Sequence, residues 1–347
     1  MSRDQSTDVV RGAHLVGSVP LSDAAAVFQA ASTILGAQLR RIPDGETGVR
    51  TNWIGWQRAV MDRNPSLEPV PIDPTRYAAR AAFRLRDGVS ATDVRFDHLG
   101  YAEAAIASYA VFSDIKQHGA IPADVRFMVS LPTPLAPVAA FVALDAQAAV
   151  EPAYEAGMLD ELDQICANSP RDQLAVQWDV AVEFGILEGV WPIFFSNVRE
   201  GIIERLVRLG GRVPADVEMG FHLCYGDSGH QHFKQPEDTS KLVDIANAVS
   251  SGVTRPINWI HLPVPIDRDD DAYYEPLRQL HLHPETELYL GLVHIADGLE
   301  GSRRRAEVAA RHVPAFGVAT ECGFGRRPPE TVPELMKIHA QLARAVR

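Results

Sequence analysis

The chain has 347 residues, 33 Lys plus Arg against 45 Asp plus Glu, and a formal net charge of -12. That balance gives no electrostatic case for nucleic acid or an anionic membrane surface as a partner. No apolar run nears the ~20 residues that span a bilayer. The polar start MSRDQSTDVVRG lacks the apolar core of a signal peptide, so the expected location is cytoplasmic.

Short β-branched and apolar runs alternate with longer amphipathic stretches, the pattern of a parallel sheet with crossover helices. A strand is expected over 14–19, a helix over 23–35 and a second strand over 38–42. Residues 45–88, rich in Pro, Arg and Asp, read as a long insertion able to cover a barrel mouth, and 94–98, which follows it, as the weakest of nine strand candidates and one that can belong to an insertion. Helix 101–117, strand 126–131, helix 150–167, strand 174–179, helix 199–209 and strand 217–224 follow. The next helix, 236–250, has Pro236, Glu237 and Asp238 in its first turn, where proline is tolerated and acids meet the positive dipole end. Strands 257–262, 287–295 and 316–322 alternate with helices 299–312 and 333–346. Eight strand–helix units close an α/β fold of the (β/α)8 TIM-barrel type, a single domain over 1–347 with its insertion after the second strand.

Barrels of this type carry their chemistry at the C-terminal ends of the strands. Strand 217–224 ends in Phe221-His222-Leu223-Cys224-Tyr225, and residues two apart share a face. His222 and Cys224 therefore face the barrel axis together. His261 ends the next strand, His294 lies on the following one, and Glu321-Cys322-Gly323 ends the last. Zinc takes Cys thiolate and His imidazole in tetrahedral sites, and a catalytic site leaves one position open. Only three cysteines occur, too few for a disulfide framework. The competing reading of a single buried Cys is a small core hydrophobe. That reading is preferred for Cys166, while His230, His232, His281, His283 and His312 read as surface or loop residues. The run 267–271 reads as a solvated loop face without the Gly and spaced Glu of an EF-hand. Gly17-Ser18, Asp44-Gly45-Glu46 and Trp178-Asp179 add polar groups at other strand ends, suited to a small zwitterion. Asp44-Gly45 is equally a common turn pair.

These residues together resemble the C-terminal catalytic barrel of cobalamin-independent methionine synthase. Gly17-Ser18-Val19-Pro20 looks like that family's G-S-F-P. Asp44-Gly45-Glu46 is similar to its H-G-E, whose Glu binds the homocysteine amine, and Gln177-Trp178-Asp179 to its Q-I-D, whose Asp shares that role. His222-Leu223-Cys224-Tyr225 matches H-M-C-Y, which supplies two zinc ligands. Cys322-Gly323 with Arg327, Glu330 and Thr331 resembles C-G-x-x-x-R…E-T, whose Cys is another. The sequence departs from the family in three places. His261 stands where the family has a ligating Glu. His294 and Ala296 stand at the Asp and His of its D-I-H. Val180, not an acid, follows Asp179.

The resemblance implies a Zn2+ site of His222, Cys224 and Cys322 with His261 as a fourth ligand. It implies a thiol methyl- or alkyltransferase with a small homocysteine-like substrate and a separate alkyl donor. Glu46 and Asp179 would anchor the substrate amine, Ser18 its carboxylate, and His294 would serve as general acid or base. The loss of the Glu also fits a zinc lyase or hydrolase on the same barrel, and a non-catalytic thiol- or metal-binding relative is a third reading. A homo-oligomer is compatible with the sequence; no nucleic-acid or membrane partner is expected.

Overall fold

Strand β1 (Val10–Ala13) leads into helix α1 (Ala24–Ile34), and β2 (Arg41–Pro43) follows. This computed structural model describes residues 9–70, 82–229 and 231–346. Asp23 starts α1 by accepting a 2.9 Å hydrogen bond from Ala26 N, satisfying one of the amides that a helix start leaves open. Between β2 and the long helix α3 (Tyr101–Gln117) lie α2 (Arg58–Arg63) and an antiparallel pair, β3 (Leu67–Pro69) with β4 (Phe83–Leu85). The remainder alternates strand and helix. It runs β5 (Arg126–Pro132), α4 (Leu135–Phe141), α5 (Leu144–Asn168), β6 (Leu174–Val180), α6 (Val182–Leu187), α7 (Val198–Arg212) and β7 (Glu218–Leu223). It continues through α8 (Ser240–Gly252), β8 (Trp259–Pro263), α9 (Asp271–Tyr274), β9 (Glu287–Gly291), α10 (Gly298–Ala309), β10 (Phe316–Val318) and α11 (Val332–Leu342).

Eight strands form one parallel sheet in the order β1-β10-β9-β8-β7-β6-β5-β2. The sheet curls until its two edges meet at a parallel bridge between Ala13 and Leu39. This is an α/β architecture of the TIM-barrel kind. Helices cover the outside, so strands such as β6 and β8 are buried along their whole length, and their few polar residues, Gln177, Asp179 and His261, are buried with them.

Inside the sheet, side chains stack in layers set by the two-residue period. At the N-terminal end the Arg41 guanidinium, almost wholly buried, reaches Glu218 at 2.6 Å and Glu287 at 3.0 Å and lies 4.1 Å from the Trp259 ring centroid. Above it, Met128, Ala175, Trp259 and Tyr289 make an inner apolar layer. Gly220 is required beside it, because a Cβ there would come within 2.2 Å of the Trp259 ring. The next layer is polar: Gln177 Oε1 contacts His14 Nε2 at 2.8 Å and accepts from Trp259 Nε1 at 3.2 Å. Register then places Asp179 beside His222, and His222 beside His261. The barrel thus turns from salt bridges through apolar packing to a layer of Asp and His side chains along its axis.

Several expected boundaries move. Residues 14–19 are not a strand: β1 ends at Ala13 because its neighbour β10 ends at Val318, and the last ladder contact is His14 N to Val318 O at 2.9 Å. The strands expected over 217–224, 287–295 and 316–322 likewise end at Leu223, Gly291 and Val318, so Cys224, His294 and Cys322 sit in the loops just beyond. The expected strand 94–98 is irregular backbone, held by side chains in place of a ladder. Asn64 Nδ2 donates to Arg95 O at 2.7 Å, and Phe96 O packs where a Cβ on Gly157 of α5 would stand 2.5 Å away. Pro236 to Asp238 precede a helix that starts at Ser240, where the Asp238 side chain accepts from Ser240 N at 2.8 Å. The short helices α4 and α6 were not expected.

Candidate metal centre

The end of β7, the residue just beyond it and the loop after β10 bring one ligand atom each from His222, Cys224 and Cys322 to within 4.8 Å of one another. His222 and Cys224 are 2% and 1% exposed. None of the cysteines is in a disulfide. The Cys224 thiol hydrogen-bonds with Cys322, and this neighbour together with burial pushes its pKa well above the ordinary thiol range. Gly226 N opposes that shift by donating to Cys224 Sγ at 3.2 Å.

His222 contacts the structure through one ring nitrogen. Its Nδ1 lies 2.7 Å from Nδ1 of His261, while its Nε2 is buried and has no hydrogen-bond partner among the described residues. An orphan buried imidazole nitrogen, on a residue grouped with two thiols, is costly unless something occupies it. The donor set, one borderline nitrogen and two soft sulfurs, fits Zn2+. His261 stands behind His222 with both ring nitrogens engaged, since its Nε2 contacts Thr320 O at 3.0 Å. Burial lowers its pKa to about 3, so it is neutral.

The expected substrate-binding residues gather at the same mouth. Gly45 takes φ +79°, which a Cβ would disfavour, and Asp44 Oδ1 accepts from Glu46 N at 2.8 Å, so Asp44-Gly45 does form a turn. That turn presents Glu46, itself held at φ +46°. Asp44 is occupied by Arg50 at 2.7 Å and Ser108 at 2.8 Å. Burial, then the neighbouring charges of Asp179 and Asp44, push the Glu46 carboxyl well above its usual range. Asp179 is raised too, by burial first, although Gln177 donates to it at 2.9 Å and Trp53 also hydrogen-bonds to it. Ser18 is tied to the loop after Cys322: its carbonyl accepts from Phe324 N at 2.6 Å and its Oγ from Gly325 N at 3.3 Å.

His294 is placed one step back. Its Nε2 contacts Val264 O at 2.8 Å and its Nδ1 faces Glu321 Oε2 at 3.5 Å. Burial lowers its pKa. Glu321 also meets His232 Nε2 at 3.1 Å. The carboxylate beside Cys322, bridging two imidazoles, was missed from sequence. Its signal was the E-C-G triplet itself. His232 and His312 both lie in loops, as expected, but their side chains are only 3% and 2% exposed, and His312 contacts Asp271 at 2.8 Å. His281 and His283 are exposed, residues 267–271 are mostly so, and His230 lies outside the described residues. Cys166 is buried core, as expected.

No protein-family model matches this sequence, and no curated protein sequence matches it. Solved structures do resemble the fold. A protein described as a vitamin-B12-independent methionine synthase from Listeria monocytogenes aligns with TM-score 0.58 at 14% identity, over 96% of this chain and 97% of that one. A B12-independent methionine synthase from Shewanella sp. W3-18-1, in complex with selenomethionine, aligns with TM-score 0.60 at 14% identity, covering 96% of each chain. A methyltransferase from Methanosarcina mazei aligns with TM-score 0.57 at 10% identity, over 96% and 94%. Likeness at these identities establishes a shared fold, and function must be argued from the site.

Proposed function

We propose that this protein is a zinc-dependent methyl- or alkyltransferase acting on a small, homocysteine-like thiol. The observation that carries the reading is the convergence of His222, whose buried Nε2 has no hydrogen-bond partner among the described residues, with Cys224 and Cys322 at the C-terminal mouth of the sheet. Three protein ligands leave one tetrahedral position for a substrate sulfur. Zinc bound there supplies a lowered thiol pKa and a reactive thiolate at neutral pH.

The protein's own residues bind and orient the substrate. Glu46 and Asp179, whose carboxyls repel each other when alone, complement a substrate ammonium, which would restore both to the charged form. Ser18, anchored beside Cys322, is assigned to the substrate carboxylate. Glu321, with His294 behind it, is assigned to hold the proton that the reaction moves. Trp53, hydrogen-bonded to Asp179, is assigned to hold that carboxyl in place.

X-ray absorption on the zinc-loaded protein, with and without homocysteine, tests this reading. A new Zn–S bond on adding the thiol is expected. An unchanged sulfur count would remove the thiol-transfer reading and favour zinc acting on an oxygen, as in a lyase or hydrolase.

A further inference from the structure

We propose that His261 is a positioning residue that fixes the tautomer of His222, so that His222 offers the lone pair of Nε2 to the metal and the fourth coordination position stays free for substrate. The inference rests on the metal reading above and assigns His261 a role other than that of ligand.

The polarity of the chain follows from its far end. The Thr320 carbonyl carries no hydrogen and can only accept, so His261 Nε2 is the donor in the 3.0 Å contact. His261 is 0% exposed, and its two ring partners, a carbonyl and an imidazole, are uncharged, so the neutral ring is the favoured form. A neutral ring protonated at Nε2 has its lone pair at Nδ1. That nitrogen lies 2.7 Å from Nδ1 of His222, which must therefore be the donor. The lone pair of His222 is then left at Nε2, the buried nitrogen without a partner. Metal-bound histidines are commonly held in this way, by an acceptor on the non-ligating nitrogen. Here the acceptor is a second imidazole, itself oriented by the backbone.

The surrounding packing is built for this chain. His222 and His261 are direct register partners across β7 and β8. Gly291, at the end of β9, flanks the next link: a Cβ there would stand 2.7 Å from Thr320 O and 2.9 Å from His261 Nε2. Any larger residue at 291 would push the carbonyl and the ring apart. For His261 to ligate the metal, it would have to give up one of its two hydrogen bonds. The resulting site has one nitrogen and two sulfurs from the protein.

The first test needs no metal. In metal-free protein labelled with 15N-histidine, NMR is expected to show His222 protonated at Nδ1 and His261 at Nε2; the opposite tautomer at His222 overturns the proposal. The second test is zinc affinity, measured by chelator competition. His261→Ala is expected to weaken binding about 10–100-fold. His261→Gln, whose amide can accept at one end and donate at the other, recovers most of that loss, and Gly291→Ala, which keeps the imidazole but parts it from the Thr320 carbonyl, weakens binding. X-ray absorption of the wild type is expected to count one imidazole. Two coordinated imidazoles, or wild-type affinity in His261→Ala, overturns the proposal. A wild-type protein that binds no zinc overturns the metal reading itself, and the tautomer measured without metal tells that failure apart from failure of the hydrogen-bond chain.

Discussion

The Cys224 and Cys322 thiols hydrogen-bond across the barrel mouth, although the strands they follow, β7 and β10, are separated in the sheet by β8 and β9. Loops from opposite parts of the ring have to converge for this contact to form. A shared ligand explains why two thiols are held there.

Occupation by zinc should therefore shield this pair. With zinc bound, an alkylating reagent is expected to modify Cys224 and Cys322 slowly; after chelation both react, and Cys166 stays inert in its core position. Mass spectrometry of the labelled peptides checks this. Equal labelling with and without metal would contradict it.

Zinc affinity should rise with pH. The Cys224 thiol is held above its usual range by Cys322 and by burial, so the metal-free site is protonated there at neutral pH, and zinc must displace that proton. Binding tightens about tenfold per pH unit for each proton displaced and levels off once the pH exceeds the thiol pKa. Calorimetry in buffers of different ionisation enthalpy is expected to report release of about two protons per zinc at neutral pH. No release would contradict a two-thiolate site.

Glu46 should cost stability in order to bind substrate. Its folded-state pKa is raised by burial and by Asp179 and Asp44, so it costs nothing below the unfolded pKa and destabilises increasingly as the pH rises above it. Glu46→Gln is expected to leave stability unchanged near pH 4 and to raise it at pH 8, with roughly 1–2 °C in Tm for each kcal/mol relieved. The same variant loses substrate binding. Thermal melts at the two pH values check the sign; a variant less stable at pH 8 would contradict it.

At the opposite end of the barrel, Arg41→Met should destabilise without touching the metal. The substitution removes the cation shared by Glu218 and Glu287, leaving Arg126 paired with the first and Arg40 with the second. The expected cost is about 3 kcal/mol, at the lower edge for a buried pair because both carboxylates keep some exposure. Denaturant unfolding measures the loss, and chelator competition should return wild-type zinc affinity.

Much of this arrangement is legible in the sequence, and its gaps have physical causes. His222 and Cys224 are two apart in a strand pattern, so their common face follows from the period of the strand. Cys322 joins them only if the sheet curls, which the alternation of strands and helices implies. His261 marks the limit of such reasoning. Periodicity tells which face a residue takes and not which way its ring turns, and here Gly291 leaves room for the ring to reach Thr320 O. Residues 14–19 and 94–98 alternate like strands but find no ladder partner, which only the length of neighbouring β10 and the side chain of Asn64 decide. The role of Glu321 depends on His232, brought near by a loop whose path no local pattern encodes.

The most direct test of the metal centre is zinc content per chain in wild type and in the Cys224→Ala, Cys322→Ala double variant, both confirmed folded by circular dichroism. About one zinc per wild-type chain is expected, and loss of it in the double variant. A wild type that takes up no zinc, or a double variant that keeps it all, would contradict a shared zinc site.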